Sequence, residues 1–101
     1  MRTETSVRLS APARQDVFDA TVWYDRQTRG LAGIFLADLK RLLDRVALFP
    51  EAAPKCRGQY RHASLAQFHY SVFYKQHASE VMVVFVRHTK RDAPVFIKPL
   101  N

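Results

Sequence analysis

The sequence has one cysteine among 101 residues, three glycines, and no apolar run approaching the roughly 20 residues that span a bilayer. The lone Cys56 cannot form an internal disulfide, which favours a reducing compartment. The first ten residues contain no apolar core of signal-peptide length. We therefore expect a cytoplasmic protein without a membrane segment, folded as one domain over residues 1–101.

Patterns that bind metals or phosphate groups are also missing. The glycines do not form a phosphate-binding loop, and the four histidines show no H-x-x-x-H spacing. We expect no metal site and no cofactor. Cys56 lies between Lys55 and Arg57, whose charges favour a thiolate. Because no base lies near it in the sequence, we interpret this cysteine as structural or incidental.

Acidic residues are scarce in the second half of the chain. Residues 1–53 carry eight Lys or Arg against seven Asp or Glu, for a net charge of +1, whereas residues 54–101 carry eight against two, for +6. All four histidines also lie in this basic half. One interpretation is a basic surface that only aids solubility. The other is an acidic partner, either nucleic acid or an acidic protein segment.

Two stretches rich in β-branched and aromatic residues, 68–75 and 80–92, flank four turn-compatible residues. They predict a hairpin of two antiparallel strands in the middle of a sheet. The first strand alternates, with Phe68, Tyr70, Val72 and Tyr74 on one face. The second is apolar at six consecutive positions, 81–86, which predicts a strand covered on both faces, or covered on one and awaiting a partner on the other.

Two amphipathic helices precede this hairpin. Ser10 is placed to cap the first helix, which should run to about Thr28 with Phe18 and Trp23 outside its apolar stripe. The second should run from near Leu31 to Pro50, with an apolar stripe formed by Ala32, Phe35, Leu39, Leu42, Val46 and Phe49. Its charged residues, Asp38 among them, are expected to face solvent. Two amphipathic helices and a sheet predict an α+β fold.

Shorter segments complete the prediction. Residues 5–9 predict a short first strand, and residues 60–65 a further strand. The segment between Pro50 and Gly58 is predicted to be a loop. Residues beyond Asp92 are too few to classify.

One combination of residues suits metal-free RNA cleavage, which needs a base, an acid and cations that stabilise the charged phosphorane. The candidates are Arg61, His62, Arg87, His88 and Arg91. Arg87 and His88 are adjacent on a strand and so point to opposite faces. The alternative interpretation is a cationic strand end that is solvated or binds a carboxylate-rich peptide.

Short motifs follow one another along nearly the whole chain: Val7-x-Leu-Ser-x-x-Ala13, Trp23-Tyr24-x-x-Gln27, Phe35-Leu36-x-x-Leu39, Phe49-Pro50-Glu51-Ala52-x-Pro54, Phe68-x-Tyr70-x-Val72-Phe73-Tyr74 and His88-Thr89-x-Arg91-Asp92. Their order resembles the ParE/RelE superfamily of bacterial type II toxins, and the ParE branch in particular. The resemblance implies a RelE/ParE-like fold, in which an N-terminal strand and an antiparallel helical hairpin pack on an antiparallel sheet.

The resemblance also implies partners. A ParD-like antitoxin would cover the toxin with its acidic C-terminal segment, and its N-terminal half would dimerise and bind operator DNA, so the toxin would meet that DNA only indirectly. The implied cellular target is DNA gyrase, which would make this chain an inhibitor without catalytic residues. We expect antitoxin contacts at Trp23, Tyr24, Phe73, Arg87 and Arg91. We expect target contacts at His88, Lys90, Arg91 and Phe96.

The RelE branch gives an alternative function, a metal-independent endoribonuclease that cleaves messenger RNA on the ribosome. RelE-like toxins typically carry an arginine in the motif that aligns with residues 68–74, where this sequence has Ser71. The usual ParE-like proline after the first aromatic residue of that motif is replaced by His69. A third hypothesis is a degenerate toxin retained as an antitoxin-binding corepressor.

Overall fold

The computed structural model describes residues 5–89, which form two helices packed on a five-stranded sheet. In chain order the elements are β1 (Ser6–Leu9), α1 (Ala11–Gln27), α2 (Leu31–Leu48), β2 (Lys55–Arg57), β3 (Tyr60–Ser64), β4 (Tyr70–His77) and β5 (Glu80–His88). This architecture confirms the predicted α+β fold class.

Ser10 fixes the start of α1. The Ala13 N–H donates to Ser10 Oγ at 3.1 Å, and Pro12 lies in the first turn, where its missing N–H costs nothing. The Ser10 hydroxyl in turn donates to the Val84 carbonyl at 3.0 Å, which ties the helix start to β5. The predicted cap is therefore confirmed, and it also joins the first helix to the sheet.

The apolar stripe of α2 is buried. Gly30 precedes this helix in a left-handed conformation with φ of 87°, which suits a residue without Cβ and lets the chain reverse between the helices. Phe49, predicted as the last member of the stripe, is instead 61% exposed because the helix ends at Leu48. The predicted residues that reach the core are Ala32, Phe35, Leu39, Leu42 and Val46.

Asp38 corrects the prediction of a fully solvated charged face on α2, because it is only 2% exposed. Its Oδ2 accepts a hydrogen bond from the Gln67 N–H at 2.8 Å, and its Oδ1 lies 3.7 Å from the Arg41 guanidinium. A buried carboxylate is tolerated where hydrogen bonds and a counter-charge replace water. Asp38 therefore anchors the connection between β3 and β4 to α2.

The strand order is β1-β5-β4-β3-β2, so the predicted hairpin of β4 and β5 lies inside the sheet. Its turn is tighter than predicted, because β4 continues through His77 and pairs it with Glu80, leaving only Ala78 and Ser79 between the strands. Ala78 adopts φ of 56° in this turn. β1 pairs with β5 in parallel, whereas the other strand pairs of the described sheet are antiparallel.

A β-bulge explains the apolar run in β5. Tyr74 pairs with Val83 while Phe73 pairs with Phe85, so Val84 is an extra residue in the strand. The bulge shifts the alternation by one position, and three valines of the run are buried against the core: Val81, Val83 and Val86. The remaining residues of the run are half-buried. The two faces of β5 are therefore not equally buried. One face packs on the core along the whole run, and the bulge changes which sequence positions lie on it.

Four aromatic rings form the centre of the core. The Phe35 centroid lies 5.3 Å from that of Tyr24, 5.4 Å from Phe68 and 5.2 Å from Tyr70. The two contacts of Phe35 with Phe68 and Tyr70 are edge-to-face, the geometry that aromatic quadrupoles favour. Because these rings come from α1, α2, β4 and the residues before β4, they hold the helical hairpin against the sheet.

The segment from Pro50 to Gly58, predicted to be a loop, contains the short strand β2. Two side chains from the sheet hold the loop before it. Tyr74 Oη donates to the Pro50 carbonyl at 2.8 Å, and burial raises the pKa of this tyrosine. Arg61 Nη1 donates to the Ala53 carbonyl at 2.6 Å. Both carbonyls lie outside the helices and strands, and these side-chain donors take the place that water would otherwise fill.

Candidate functional site

A cleft of about 230 Å³ lies between α1 and β5 and contains an ion pair. Asp16 Oδ2 accepts hydrogen bonds from the Val86 N–H at 3.0 Å and from Arg87 Nε at 3.2 Å. β1 pairs with β5 only as far as Val83, and Asp16 satisfies a backbone donor beyond that point. The carboxylate therefore completes the hydrogen bonding of β5 and orients the first basic residue at its end.

Burial raises the pKa of Asp16 above its ordinary value of 3.8, although the Val86 hydrogen bond and the positive charge of Arg87 act in the opposite direction. The side chains of Asp16 and Arg87 are 19% and 27% exposed, so both charges have lost most of their water. Desolvation therefore outweighs the two favourable contacts at this carboxyl group.

Arg87 is held from two sides. Its Nε donates to Asp16, and its Cζ lies 4.4 Å from the centroid of the Phe85 ring. A guanidinium that packs on a ring and bonds to a carboxylate has lost most of its rotational freedom before any partner arrives. The predicted antitoxin contact at Arg87 is thus a preoriented cation at the rim of the cleft.

Two aromatic residues of α1 are exposed, and one of them belongs to this cleft. Trp23 lines the cleft and is 46% exposed, whereas Phe18, five residues earlier, is 62% exposed and does not line it. Tyr24 is only 8% exposed and belongs to the core, where its ring meets Trp23 edge-on at 5.1 Å. Of the predicted antitoxin contacts, Trp23 and Arg87 therefore line one accessible cleft, and Tyr24 supports it from beneath.

Phe73 lies on the other face of the sheet. It is 6% exposed, and its ring stacks on His62 at 5.4 Å with an interplanar angle of 20°. Phe73 pairs with Phe85 on β5, so it contacts the strand that carries Arg87 rather than the cleft itself. The structure does not bring Phe73 together with Trp23.

The candidate nuclease residues lie on both faces of the sheet. Arg61 and His88 pair with the core tyrosines of β4 and so lie on the side of the helices. His62 lies on the opposite side, stacked on Phe73, whereas the Arg87 side chain bonds to Asp16 of α1 and lines the cleft between α1 and β5. The described members of the set therefore do not converge on one place.

Three of these residues also have structural contacts of their own. Arg61 holds the loop before β2 through the carbonyls of Glu51, at 3.2 Å, and Ala53, at 2.6 Å. His62 stacks on an aromatic ring, and Arg87 pairs with an aspartate. These contacts explain the conformations of the three side chains without a reaction.

Residues 7–93 match the family model described as the ParE toxin of the type II toxin-antitoxin system, parDE. The chain belongs to this ParE toxin family. It is therefore a ParE-type toxin of a type II toxin-antitoxin system, as the ordered motifs predicted. A solved structure described as the chromosomal ParDE TA system from P. aeruginosa shares the fold, with a TM-score of 0.74 at 12% identity over 85% of this chain and 97% of that chain. No curated protein matches the chain.

The predicted target contacts of this ParE-family toxin lie at or beyond the end of β5. His88 is the last residue of the strand, and its ring meets Tyr70 edge-on at 5.1 Å and lies 6.2 Å from the ring of His69. Lys90, Arg91 and Phe96 lie outside the described residues. Their roles, and that of Arg91 in antitoxin binding and in the nuclease alternative, stay predictions.

Cys56 differs from the expectation that its basic neighbours favour a thiolate. Partial burial raises the pKa of its thiol, and the nearby Arg57 charge only partly offsets this. Within residues 5–89, no cluster of three His, Cys, Asp or Glu side chains could hold a metal ion. None of the helices described for this ParE-family toxin is both long and apolar enough to cross a membrane.

Reasoning from the sequence missed the structural role of two aspartates. Asp16 lies three residues after Ala13 and four before Ala20, and both alanines are buried. Asp38 has the same relation to a buried helix face. In both cases an acidic residue occupies a position of the apolar stripe, three residues after one buried residue and four before the next. This pattern could have indicated a buried carboxylate that bonds to a neighbouring element.

Proposed function

We propose that this ParE-family toxin is a cytoplasmic inhibitor of DNA gyrase with no active site of its own. The observation that supports this most strongly is the separation of the candidate nuclease residues: Arg61 holds the loop before β2, His62 stacks on the far face of the sheet, and Arg87 pairs with an aspartate of α1. Acid–base cleavage needs its groups within hydrogen-bond reach of one phosphodiester. Inhibition of a protein target needs only a binding surface, so the geometry favours it.

The proposal includes neutralisation by a ParD-type antitoxin that binds the cleft between α1 and β5. Trp23 provides a large, half-exposed anchor, and Arg87 provides an oriented cation beside it. Aromatic residues and arginines are the side chains that most often dominate the free energy of binding at interfaces. The net charge of +7 favours an acidic segment as the occupant. Tyr24 supports Trp23 from the core, whereas the proposed contact at Phe73 lies on the other face of the sheet.

The target contacts proposed for gyrase are His88, Lys90, Arg91 and Phe96. His88 is the last residue of β5 and adjoins Arg87, and the other three follow it in the sequence. An antitoxin that covers the end of β5 would therefore cover His88 as well. The operator DNA would be bound by the antitoxin and not by this chain.

Expression of the chain under a tightly controlled promoter in a bacterial host tests the proposal. We expect growth arrest accompanied by chromosomal breaks, with intact messenger RNA. The variant His62→Ala, which alters a nuclease candidate outside the proposed target surface, should arrest growth as the unsubstituted chain does. Messenger RNA cleavage that His62→Ala abolishes would overturn the proposal in favour of a ribonuclease. Absence of arrest from a folded chain would favour the degenerate corepressor.

A further inference from the structure

The two layers of the fold differ in charge. Helices α1 and α2 together carry five basic and five acidic residues, whereas the five strands carry six basic residues and one acidic residue. The acidic residue is Glu80, and it pairs with Arg8 of β1 at 3.2 Å. Charges of one sign on one surface raise the local concentration of a ligand of the opposite sign. The sheet, rather than the helical hairpin, is therefore the layer that attracts a polyanion.

One row of five residues crosses the sheet on the face turned away from the helices. In pairing order this open-face row consists of Arg57, Tyr60, Lys75, Met82 and Arg8. Paired residues point to the same face of a sheet, and the residue before Lys75 is in the core, so the row lies on the other face. With neighbouring strands about 4.8 Å apart, the row is about 19 Å long.

The cations of the open-face row have few partners within the protein. Among residues 5–89, Arg57 and Lys75 form no ion pair, and Arg57 Nε is buried without a hydrogen-bond partner. Arg8 does pair with Glu80, but the two side chains are 67% and 43% exposed, so water weakens the attraction. An anion bound along the row would supply the counter-charge that the described strands do not provide.

Tyr60 places an aromatic ring between two of these cations. It is half-buried, it pairs with Arg57 on one side and Lys75 on the other, and Lys75 Nζ lies 5.7 Å from the centroid of its ring. An exposed cation–π contact of this kind is weak. A base can therefore replace the lysine over the ring while the ammonium group bonds to a phosphate beside it. Aromatic rings flanked by cations bind single-stranded nucleic acids in this way.

We propose that the open-face row binds single-stranded DNA without regard to sequence, with a base stacked on Tyr60 and phosphates on Arg57, Lys75 and Arg8. Its length suits about four nucleotides, the lower end of the range for single-strand binding surfaces. The strand is bound and released intact. This contact differs from operator binding by an antitoxin, because the bases of a duplex are already stacked and paired.

The inference goes beyond inhibition of gyrase, and it rests on the proposed function only for the choice of DNA over RNA. Gyrase acts on DNA, so a toxin held on DNA would stay close to its proposed target. The stacking ring and the cations would bind either nucleic acid, because every base has a flat face and every nucleotide carries a phosphate.

Charge and shape separate this ligand from two others. A second copy of the chain that met the first through the same row would bring the cations of both copies together. An amphipathic helix would find little apolar surface, because Met82 is the one aliphatic side chain of the row. Nucleotides provide both a flat ring and a negative charge at each step along the row.

The test is fluorescence anisotropy of the full chain with a fluorescein-labelled oligothymidine of about 12 nucleotides, measured at several salt concentrations. An abasic strand with the same phosphates, an oligouridine and a duplex of the same length are the comparison ligands. Tyr60→Leu removes the ring, Tyr60→Phe keeps it, and Lys75→Gln removes one charge. Phe18→Leu and Lys40→Gln are matched controls, because both residues are exposed on the helical layer.

Three cations on the phosphates of a single strand predict a slope of about −2 for the logarithm of affinity against the logarithm of salt concentration. Lys75→Gln should make this slope shallower by about 0.7. Tyr60→Leu should weaken binding about tenfold without changing the slope, and the abasic strand should bind the unsubstituted chain about tenfold more weakly. The duplex should also bind more weakly, and Tyr60→Phe and the two controls should stay within about twofold of the unsubstituted chain.

Equal binding of the abasic strand and the oligothymidine would reveal a cationic patch without a base site and overturn the inference. Unchanged binding by Tyr60→Leu, or an effect of Lys40→Gln as large as that of Lys75→Gln, would also contradict it. Cleavage of the oligouridine, or a preference for it above about tenfold, would exclude DNA as the ligand. Circular dichroism and thermal unfolding verify that each variant is folded. The assay contains no gyrase, so the growth-arrest experiment still judges the proposed function independently.

Discussion

Replacing Asp16 tests whether the α1–β5 junction depends on a hydrogen-bond acceptor or on a negative charge. Asp16→Ala leaves the Val86 N–H without its acceptor and Arg87 without its carboxylate, in a site where the two charged side chains are 19% and 27% exposed. Losing the partner of a buried donor costs about 1–3 kcal/mol, so we expect the free energy of unfolding to fall by about 2 kcal/mol. With a urea slope of about 1–3 kcal/mol/M, the unfolding midpoint should fall by about 1 M.

Asp16→Asn separates the two contributions, because the amide oxygen still accepts from Val86 while the charge is lost. Burial raises the pKa of Asp16, so the folded protein holds this proton more tightly than the unfolded chain does. The contribution of Asp16 to stability is therefore greatest at acidic pH and falls as pH rises from about 3.8 through the folded-state pKa. At neutral pH, Asp16→Asn should lie closer in stability to the unsubstituted protein than Asp16→Ala does.

The assay is urea unfolding of the three proteins at pH 4 and pH 7, followed by tryptophan fluorescence and far-UV circular dichroism. We expect the unsubstituted protein to gain stability relative to Asp16→Asn on going from pH 7 to pH 4. Equal midpoints for Asp16→Ala and the unsubstituted protein would show that the hydrogen bonds contribute nothing. Loss of stability relative to Asp16→Asn on acidification would show that the ion pair outweighs burial.

Three further substitutions test other contacts. Tyr74→Phe removes the hydroxyl that donates to the Pro50 carbonyl from a fully buried side chain, so the free energy of unfolding should fall by about 1 kcal/mol. Urea unfolding measures this, and an unchanged midpoint would show that the hydrogen bond does not stabilise the fold. Asp38→Ala should cost about 2 kcal/mol because the Gln67 N–H loses its acceptor, whereas Asp38→Asn should cost less, and equal losses would refute this role. Arg87→Glu should weaken antitoxin binding and reduce the dependence of the affinity on salt, measured by calorimetric titration at two salt concentrations. Arg26→Glu, on the exposed face of α1, should have a smaller effect on both the affinity and its salt dependence.

The helices and the central hairpin could be predicted because local signals agree with the final packing. Ser10 caps α1 as its side chain suggests, and the stripe from Phe35 to Val46 enters the core at the spacing of an α-helix. Alternation in β4 likewise places Tyr70, Val72 and Tyr74 on one face, but the expectation of a half-buried strand is wrong because Ser71 and Phe73 on the other face are buried as well. Where side-chain periodicity alone determines which residues are buried, the sequence contains enough information.

The remaining errors concern interactions between distant segments. The bulge at Val84 changes which residues of β5 face the core, and no local pattern shows where two strands lose register. Strand β2 is three residues long and forms because Lys55 meets Arg61 of β3, which is again a pairing that sequence periodicity does not record. Asp38 is buried and accepts a hydrogen bond from the Gln67 N–H, a contact with a residue distant in the sequence.

The candidate site was predicted only in part. Trp23 and Arg87 come together because α1 packs against the end of β5, and the basic composition of the second half of the chain indicated such a surface. The nuclease candidates Arg61 and His62 are neighbours in the sequence, and the sheet places them on opposite faces with different partners. Side-chain direction on a strand, rather than residue type, is therefore what favours the inhibitor proposal over the ribonuclease alternative.

The most direct test of the central claim is a supercoiling reaction, in which purified antitoxin-free chain is titrated into DNA gyrase with relaxed plasmid and ATP. Both the loss of supercoiling and the appearance of linear, cleaved plasmid are scored. The account predicts inhibition with accumulated cleavage product, and it predicts the same inhibition from His62→Ala. Undisturbed supercoiling in the presence of a demonstrably folded chain would contradict the account.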